Sequence, residues 1–396
     1  MYHIHAMELI RHSSGRDLRV DFFRGLALWW IFTDHVPGDV MSDYSLRNFA
    51  MCDATEVFVL LAGYGAGLSY GMGLRRNGYV STAADVMKRA WTLYVAHIFL
   101  FVLFTAQVTY SATALNRLNY LEETRLDVLG DDPYRSILEA LLLRFQPSLL
   151  NILPLYVVLM AFFAATIWLL RWPRVLFGLS FAIYMVVRFT SLNLGAWTGE
   201  GWFFDPFAWQ FLFIIGVLLA CAPVRPPSRP WLFDIVATAA VLLGVIVTMV
   251  IEPYPHLMDW VSGSRVLRYL VVEDKTGLYP FRLLSILSLT WLCVRLIRFD
   301  QPWLRSRWAA PVVLVGQNSL SVFCSGIVFG FFARLALEYD DRAFMQVGIN
   351  LFGAIGMVSM GALAAWYRAK GRAKPPRPAA LPAAGLLPVD AQPDTG

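Results

Sequence analysis

The chain has 396 residues, of which 58% are hydrophobic and only 15% charged, with a formal net charge of +5. A soluble domain averages about 25% charged residues, and the apolar residues here come in long blocks, so an array of soluble domains is excluded. The basic residues gather in short loops and the tail, which is a topological pattern and not a nucleic-acid footprint.

Residues 1–15 form a polar tail without an apolar core or a small-residue cleavage site, so we read no signal peptide, and the first span serves as an uncleaved anchor. Hydropathy then predicts an all-α polytopic bundle of about ten spans, each needing roughly 20 residues. They fall near 17–37, 54–73, 90–110, 149–170, 174–192, 206–222, 232–251, 279–298, 310–332 and 346–367. These make one transmembrane domain, 16–367, followed by a basic and then Pro- and Ala-rich tail, 368–396, that reads as disordered.

Every second connection is basic. Arg75, Arg76, Lys88 and Arg89 follow the second span, Arg171 and Arg174 the fourth, and Arg225 and Arg229 the sixth. Arg295, Arg298, Arg305 and Arg307 follow the eighth, and Arg368, Lys370, Arg372, Lys374 and Arg377 open the tail. The positive-inside rule places these, and the N-terminus with Arg11 and Arg16, in the cytoplasm. The opposite loops carry most of the acid. Segment 111–148 ends in PYRSILEALLLRF, where Ile137, Leu138, Leu141 and Leu142 recur at the spacing of an interfacial amphipathic helix. Segment 252–278 mixes aromatic side chains such as Trp260 and Tyr269 with Glu252, Asp259, Glu273 and Asp274, which suits an interfacial belt or sugar rings.

Ionisable residues at membrane depth point to function. On a helical first span, Arg24 and His35 lie nearly on one face, about 16 Å apart along the axis. Asp21 is placed to pair with Arg24. With the N-terminus inside, Arg19, Asp21 and Arg24 are at the cytoplasmic end and His35 at the outer end. The second span runs back, so Asp53 and Glu56 share the depth of Asp34 and His35. A carboxylate on one imidazole nitrogen would fix the tautomer and leave the other as a base. Gln210, Gln317, Asn318, Ser319 and Arg282 also fall inside or at the ends of spans, as cavity groups or as interhelical glue. His97 reads as a packed or hydrogen-bonded core histidine. Gly63, Gly65, Gly67, Gly71 and Gly73 suggest close helix packing. Cys52, Cys221, Cys293 and Cys324 have no metal-ligand spacing, so no metal is expected. Phosphate-loop, GxSxG, HExxH and dinucleotide patterns are not found.

RDLRVDFFRGLALWWIFTDHVP (16–37) resembles the first span of integral-membrane acyltransferases, with an Arg and a His flanking ten residues. TEVFVLLAGYGAGLSYG (55–71) resembles their second span. Within that superfamily the chain is similar to the OpgC family, which adds succinyl groups to osmoregulated periplasmic glucans. NILPLYVVLM (151–160), DPFAWQFLFIIG (205–216), DKTGLYPFRLL (274–284) and GQNSLSVFC (316–324) carry that similarity.

The resemblance implies acyl transfer across a bacterial inner membrane. Acyl-CoA, as succinyl-CoA, would be a co-substrate held from the cytoplasm, with no permanently bound cofactor, and a glucan hydroxyl outside would be the acceptor. Arg19 and Arg24 lie where CoA phosphates could be met, and His35 would be the general base, oriented by Asp34 or Glu56. Asn318 or Gln210 would donate to the oxyanion, and Lys275 or Arg282 would meet a succinyl carboxylate. An acyl-histidine route stays open. The alternative is a transporter or export partner that uses the charged cluster as a proton relay.

Overall fold

Asp17 accepts the amide of Arg19 at 3.0 Å and so starts helix α1, Leu18–Asp34. His35 ends it, its amide bonding back to Ile31 and Phe32. The next helix, α2, begins with a capping box, in which Asp53 accepts the Thr55 amide and Glu56 accepts the Asp53 amide. In this computed structural model residues 17–221, 227–271 and 274–372 are described. Arg11, Arg16, Arg225, Glu273 and the chain beyond 372 lie outside them, as do the expectations attached to those residues.

Helix α2 runs over Ala54–Ala114 and bends at Gly78, whose φ of 77° and ψ of −179° suit only glycine. One helix with an elbow therefore holds the expected second and third spans. Short helices α3 (Asn119–Thr124), α4 (Val128–Asp131) and α5 (Pro133–Leu141) follow. Helix α5 is the expected amphipathic segment, with Ile137, Leu138, Leu141 and the following Leu142 all exposed. Then come α6 (Ile152–Thr166), α7 (Pro173–Thr190), α8 (Pro206–Cys221), α9 (Pro230–Ile246), α10 (Pro255–Gly263) and α11 (Pro280–Leu296). Each of the last five has proline as its first residue, where the missing amide costs nothing. The chain closes with α12 (Ala310–Gln317), α13 (Ser319–Tyr339) and α14 (Ala343–Arg372). No strand occurs among the described residues beyond an isolated bridge between Gly195 and Gly201.

Helix is found in all ten expected segments as far as they are described, and besides the shared helix α2 there are two differences. The expected ninth span is divided at Asn318, whose side-chain amide bonds to the Leu314 carbonyl, and α14 runs past residue 367 to Arg372. Among the described residues, 6 helices are long and apolar enough to cross a membrane: α2, α6 and α9 with their extensions to Arg171 and Ile251, α7, α13 and α14. Helices α1, α8 and α11, with 17, 16 and 17 residues, fall short of that measure. Outward side chains such as Trp91, Phe99 and Ile355 are exposed, as a lipid-facing surface requires. Inside, α2 packs on α6 and α8, and α1 on α12 and α13. The glycine spacing in α2 makes its contact with α8 close: a Cβ on Gly63 would lie 2.1 Å from the Phe213 carbonyl oxygen, and one on Gly67 2.6 Å from that of Val217.

Candidate active site

The end of α1 and the start of α2 open on a cavity of about 400 Å³. Asp34, His35, Asp53 and Thr55 line it, with Arg47 and Lys275. His35 Nδ1 is buried and has no hydrogen-bond partner among the described residues. Arg47 Nε stands 3.4 Å from Asp34 Oδ1. Aromatic walls come from Phe145, Trp202, Phe203, Phe204 and Phe323. Those rings were not singled out in the sequence. Trp260 and Tyr269 of the 252–278 segment are exposed and do not line the cavity.

The carboxylates beside the cavity are tied to cations from far along the chain. Asp53 Oδ2 is 2.6 Å from Lys275 Nζ and accepts from Arg282 Nη2 at 3.0 Å. Glu56 Oε1 accepts from Arg282 Nε at 2.7 Å, and its Oε2 accepts the Asp53 amide at 2.9 Å. Glu56 is wholly buried. Two carboxylates and two cations thus neutralise each other at the head of α2, as buried charges must. Glu56 is committed to Arg282 and to the cap, so the arrangement gives it no bond to His35. Lys275 still faces the cavity, its ammonium 5.6 Å from the Phe204 ring centroid.

A second cavity, of about 230 Å³, lies at the other end of the same helices. Arg24 from α1, Ser69 and Tyr70 from the first arm of α2 and Arg89 from its second arm line it, with Tyr156 and Ser319. Arg24 Nη2 donates to the Leu61 carbonyl at 2.9 Å, and its Nη1 is 3.9 Å from Asp21. Asp21 also accepts from Gln317 Nε2 at 3.3 Å.

A family model described as OpgC protein matches residues 16–369, which contain every residue of both cavities. The chain belongs to the OpgC protein family. No curated protein and no solved structure matches it. Membership in the OpgC family points to a membrane acyltransferase-type role.

Arg282, expected at a succinyl carboxylate, is committed to Glu56 and Asp53 and lines neither cavity, and three more residues expected at the site of this OpgC chain are placed elsewhere. Arg19 is bound to Asp17 at 2.8 Å and to the Ile297 carbonyl at 2.8 Å, away from the Arg24 cavity. Five residues of helix turn it from Arg24 by about 140°. Gln210 clamps α8 to α7: its carbonyl oxygen accepts the Ser180 hydroxyl at 2.6 Å and its amide donates to the Ser180 carbonyl at 2.8 Å. Asn318 donates to Leu314 and accepts from Arg368 at the break between α12 and α13. Neither lines a cavity. His97 is buried, and neither ring nitrogen has a hydrogen-bond partner among the described residues, so it is packed but not hydrogen-bonded. Arg89 was read only as a topological charge. It reaches the cavity because the bend at Gly78 brings both arms of α2 to one lining, with Ser69 and Arg89 about 13 and 16 Å of helix from the bend.

Proposed function

We propose that this chain is a membrane O-acyltransferase that moves a succinyl group from cytoplasmic succinyl-CoA to hydroxyls of a periplasmic glucan. The observation that carries the reading is the pairing of an arginine cavity with a histidine cavity on the same helices, inside a chain of the OpgC family. Arg24 and Arg89 meet the anionic donor, and Asp21 orients Arg24. Ten spans, with both termini and the Arg24 end cytoplasmic, put the donor on the side where CoA is found.

At the other end, His35 takes the proton of a glucan hydroxyl as that oxygen attacks the thioester carbonyl carbon. The carbon–sulfur bond breaks, and the CoA thiolate leaves and takes up a proton. Asp34 and Asp53, each held by a cation, stand on the same cavity and stabilise the imidazolium as it forms. Trp202 and Phe203 offer flat faces for sugar rings, and Lys275, with Arg144 also on the lining, meets the succinyl carboxylate.

The test compares glucan from cells carrying the wild type and His35→Ala by mass spectrometry of its acyl substituents. Substitution is expected to vanish while the protein stays at its normal level. Unchanged substitution with the mutant protein present would remove His35 as the base. Unmodified glucan that fails to reach the periplasm in a null strain would favour export instead.

A further inference from the structure

Four helices line both cavities, and on each the two linings follow one another along the axis. On α1, Arg24 faces one cavity and Ile31 the other. On α2 the corresponding pair is Phe58 and Thr55, on α6 Tyr156 and Ile152, and on α13 Ser319 and Phe323. On α6 and α13 the step is four residues, about 6 Å of helix. The cavities are therefore stacked end to end with a thin partition between them.

The partition is aromatic. Phe58, which faces the Arg24 cavity, lies with its ring centroid 6.2 Å from that of Phe323, which faces the His35 cavity. Tyr156 meets Phe58 edge-on at 6.3 Å and reaches Phe213 at 6.4 Å. Phe58 and Phe323 are 6% and 3% exposed. These rings therefore stand in apolar contact between the two linings, on the axis along which the cavities are stacked.

We propose that Phe58, Tyr156 and Phe323 form a movable partition between a donor chamber and an acceptor chamber, and that it sets the ratio of transfer to hydrolysis. This rests on the acyl-transfer reading. A thioester delivered to His35 can be attacked by a glucan hydroxyl or by water, with the same carbon–sulfur bond breaking and the same proton passing to His35. Rings that keep the thioester on the donor side until the acceptor fills the outer chamber suppress the reaction with water.

The partition is tested apart from the chemistry. Ser148→Cys reports on the His35 cavity and Ser69→Cys on the Arg24 cavity, in sealed vesicles of either orientation treated with a membrane-impermeant maleimide. The same chain without the new thiols is subtracted. Each cysteine is expected to react from one side only, and the two from opposite sides. Adding Phe58→Ala with Phe323→Ala, or Phe323→Leu alone to keep the apolar packing, is expected to make at least one react from both sides. Unchanged sidedness in both variants, or reaction from both sides before any ring is altered, overturns the partition. With purified protein and succinyl-CoA alone, the ring variants are expected to release CoA several-fold faster than the wild type; equal release overturns the link to hydrolysis. Altered labelling with no CoA release or transfer by any variant, wild type included, upholds the partition and overturns acyl transfer.

Discussion

At the scale of single residues, the head of α2 and the end of α1 differ in how their polar groups are partnered. Asp53, Glu56, Lys275 and Arg282 satisfy one another, whereas His35 Nδ1 has no hydrogen-bond partner among the described residues. Arg282→Ala would strand Glu56, which is wholly buried, and the nearly buried Asp53 without their shared guanidinium. Removing one partner of a buried ion pair costs roughly 3–5 kcal/mol, so we expect a clear drop in the detergent unfolding temperature. An unchanged unfolding temperature with lost activity would instead make Arg282 a substrate-binding residue. Arg89→Ala is expected to weaken succinyl-CoA binding about tenfold or more, since a charged hydrogen bond contributes roughly 1.5–3 kcal/mol; titration of purified protein with the thioester would show it. Much of the site's depth was legible: periodicity and loop charge put His35 near Asp53 and Arg24 far from both. Direction around the helix was not. Gln210 and Asn318 sit at plausible depths yet turn toward Ser180 and Leu314, because only the neighbouring helix decides which way a polar side chain faces.

At the scale of helices, hydropathy located every expected segment but not their joints. It counts apolar residues and is blind to φ, so it could not see that Gly78 bends one helix where two were expected. Nor could it see that Asn318 divides the 310–332 block. The glycine spacing of α2 was readable because small side chains every few residues have one main use, close approach of another backbone, and α8 supplies that backbone at Phe213 and Val217. The clamp between α7 and α8 gives a test of Gln210. Gln210→Ala leaves the Ser180 hydroxyl and carbonyl without their partner, at a cost of about 1–3 kcal/mol. We expect lower thermal stability with kcat per folded molecule unchanged. A fall in kcat at unaltered stability would return Gln210 to the reaction.

For the molecule as a whole, the bundle has one cavity lined by Arg24 and Arg89 and another lined by His35, and the proposed direction of transfer requires them to face opposite compartments. Arg76→Cys, beside the Gly78 elbow, should react with an impermeant thiol reagent only from the cytoplasm, and Tyr134→Cys, on the exposed α5, only from the periplasm; labelling of both from one side would undo the proposed orientation. The ion cluster at the head of α2 also has a history in time. Glu56 and its partner Arg282 are separated by 226 residues. At about 5–20 residues per second of synthesis, the carboxylates of Asp53 and Glu56 are made on the order of tens of seconds before the cation that neutralises them. An unpaired carboxylate is costly at membrane depth, so during that interval Glu56 is expected to stay in contact with water or with another cation. Arg282, at the start of α11, is thus the late partner of the head of α2, and a chain cut short before Pro280 is expected to lack the guanidinium that Asp53 and Glu56 share.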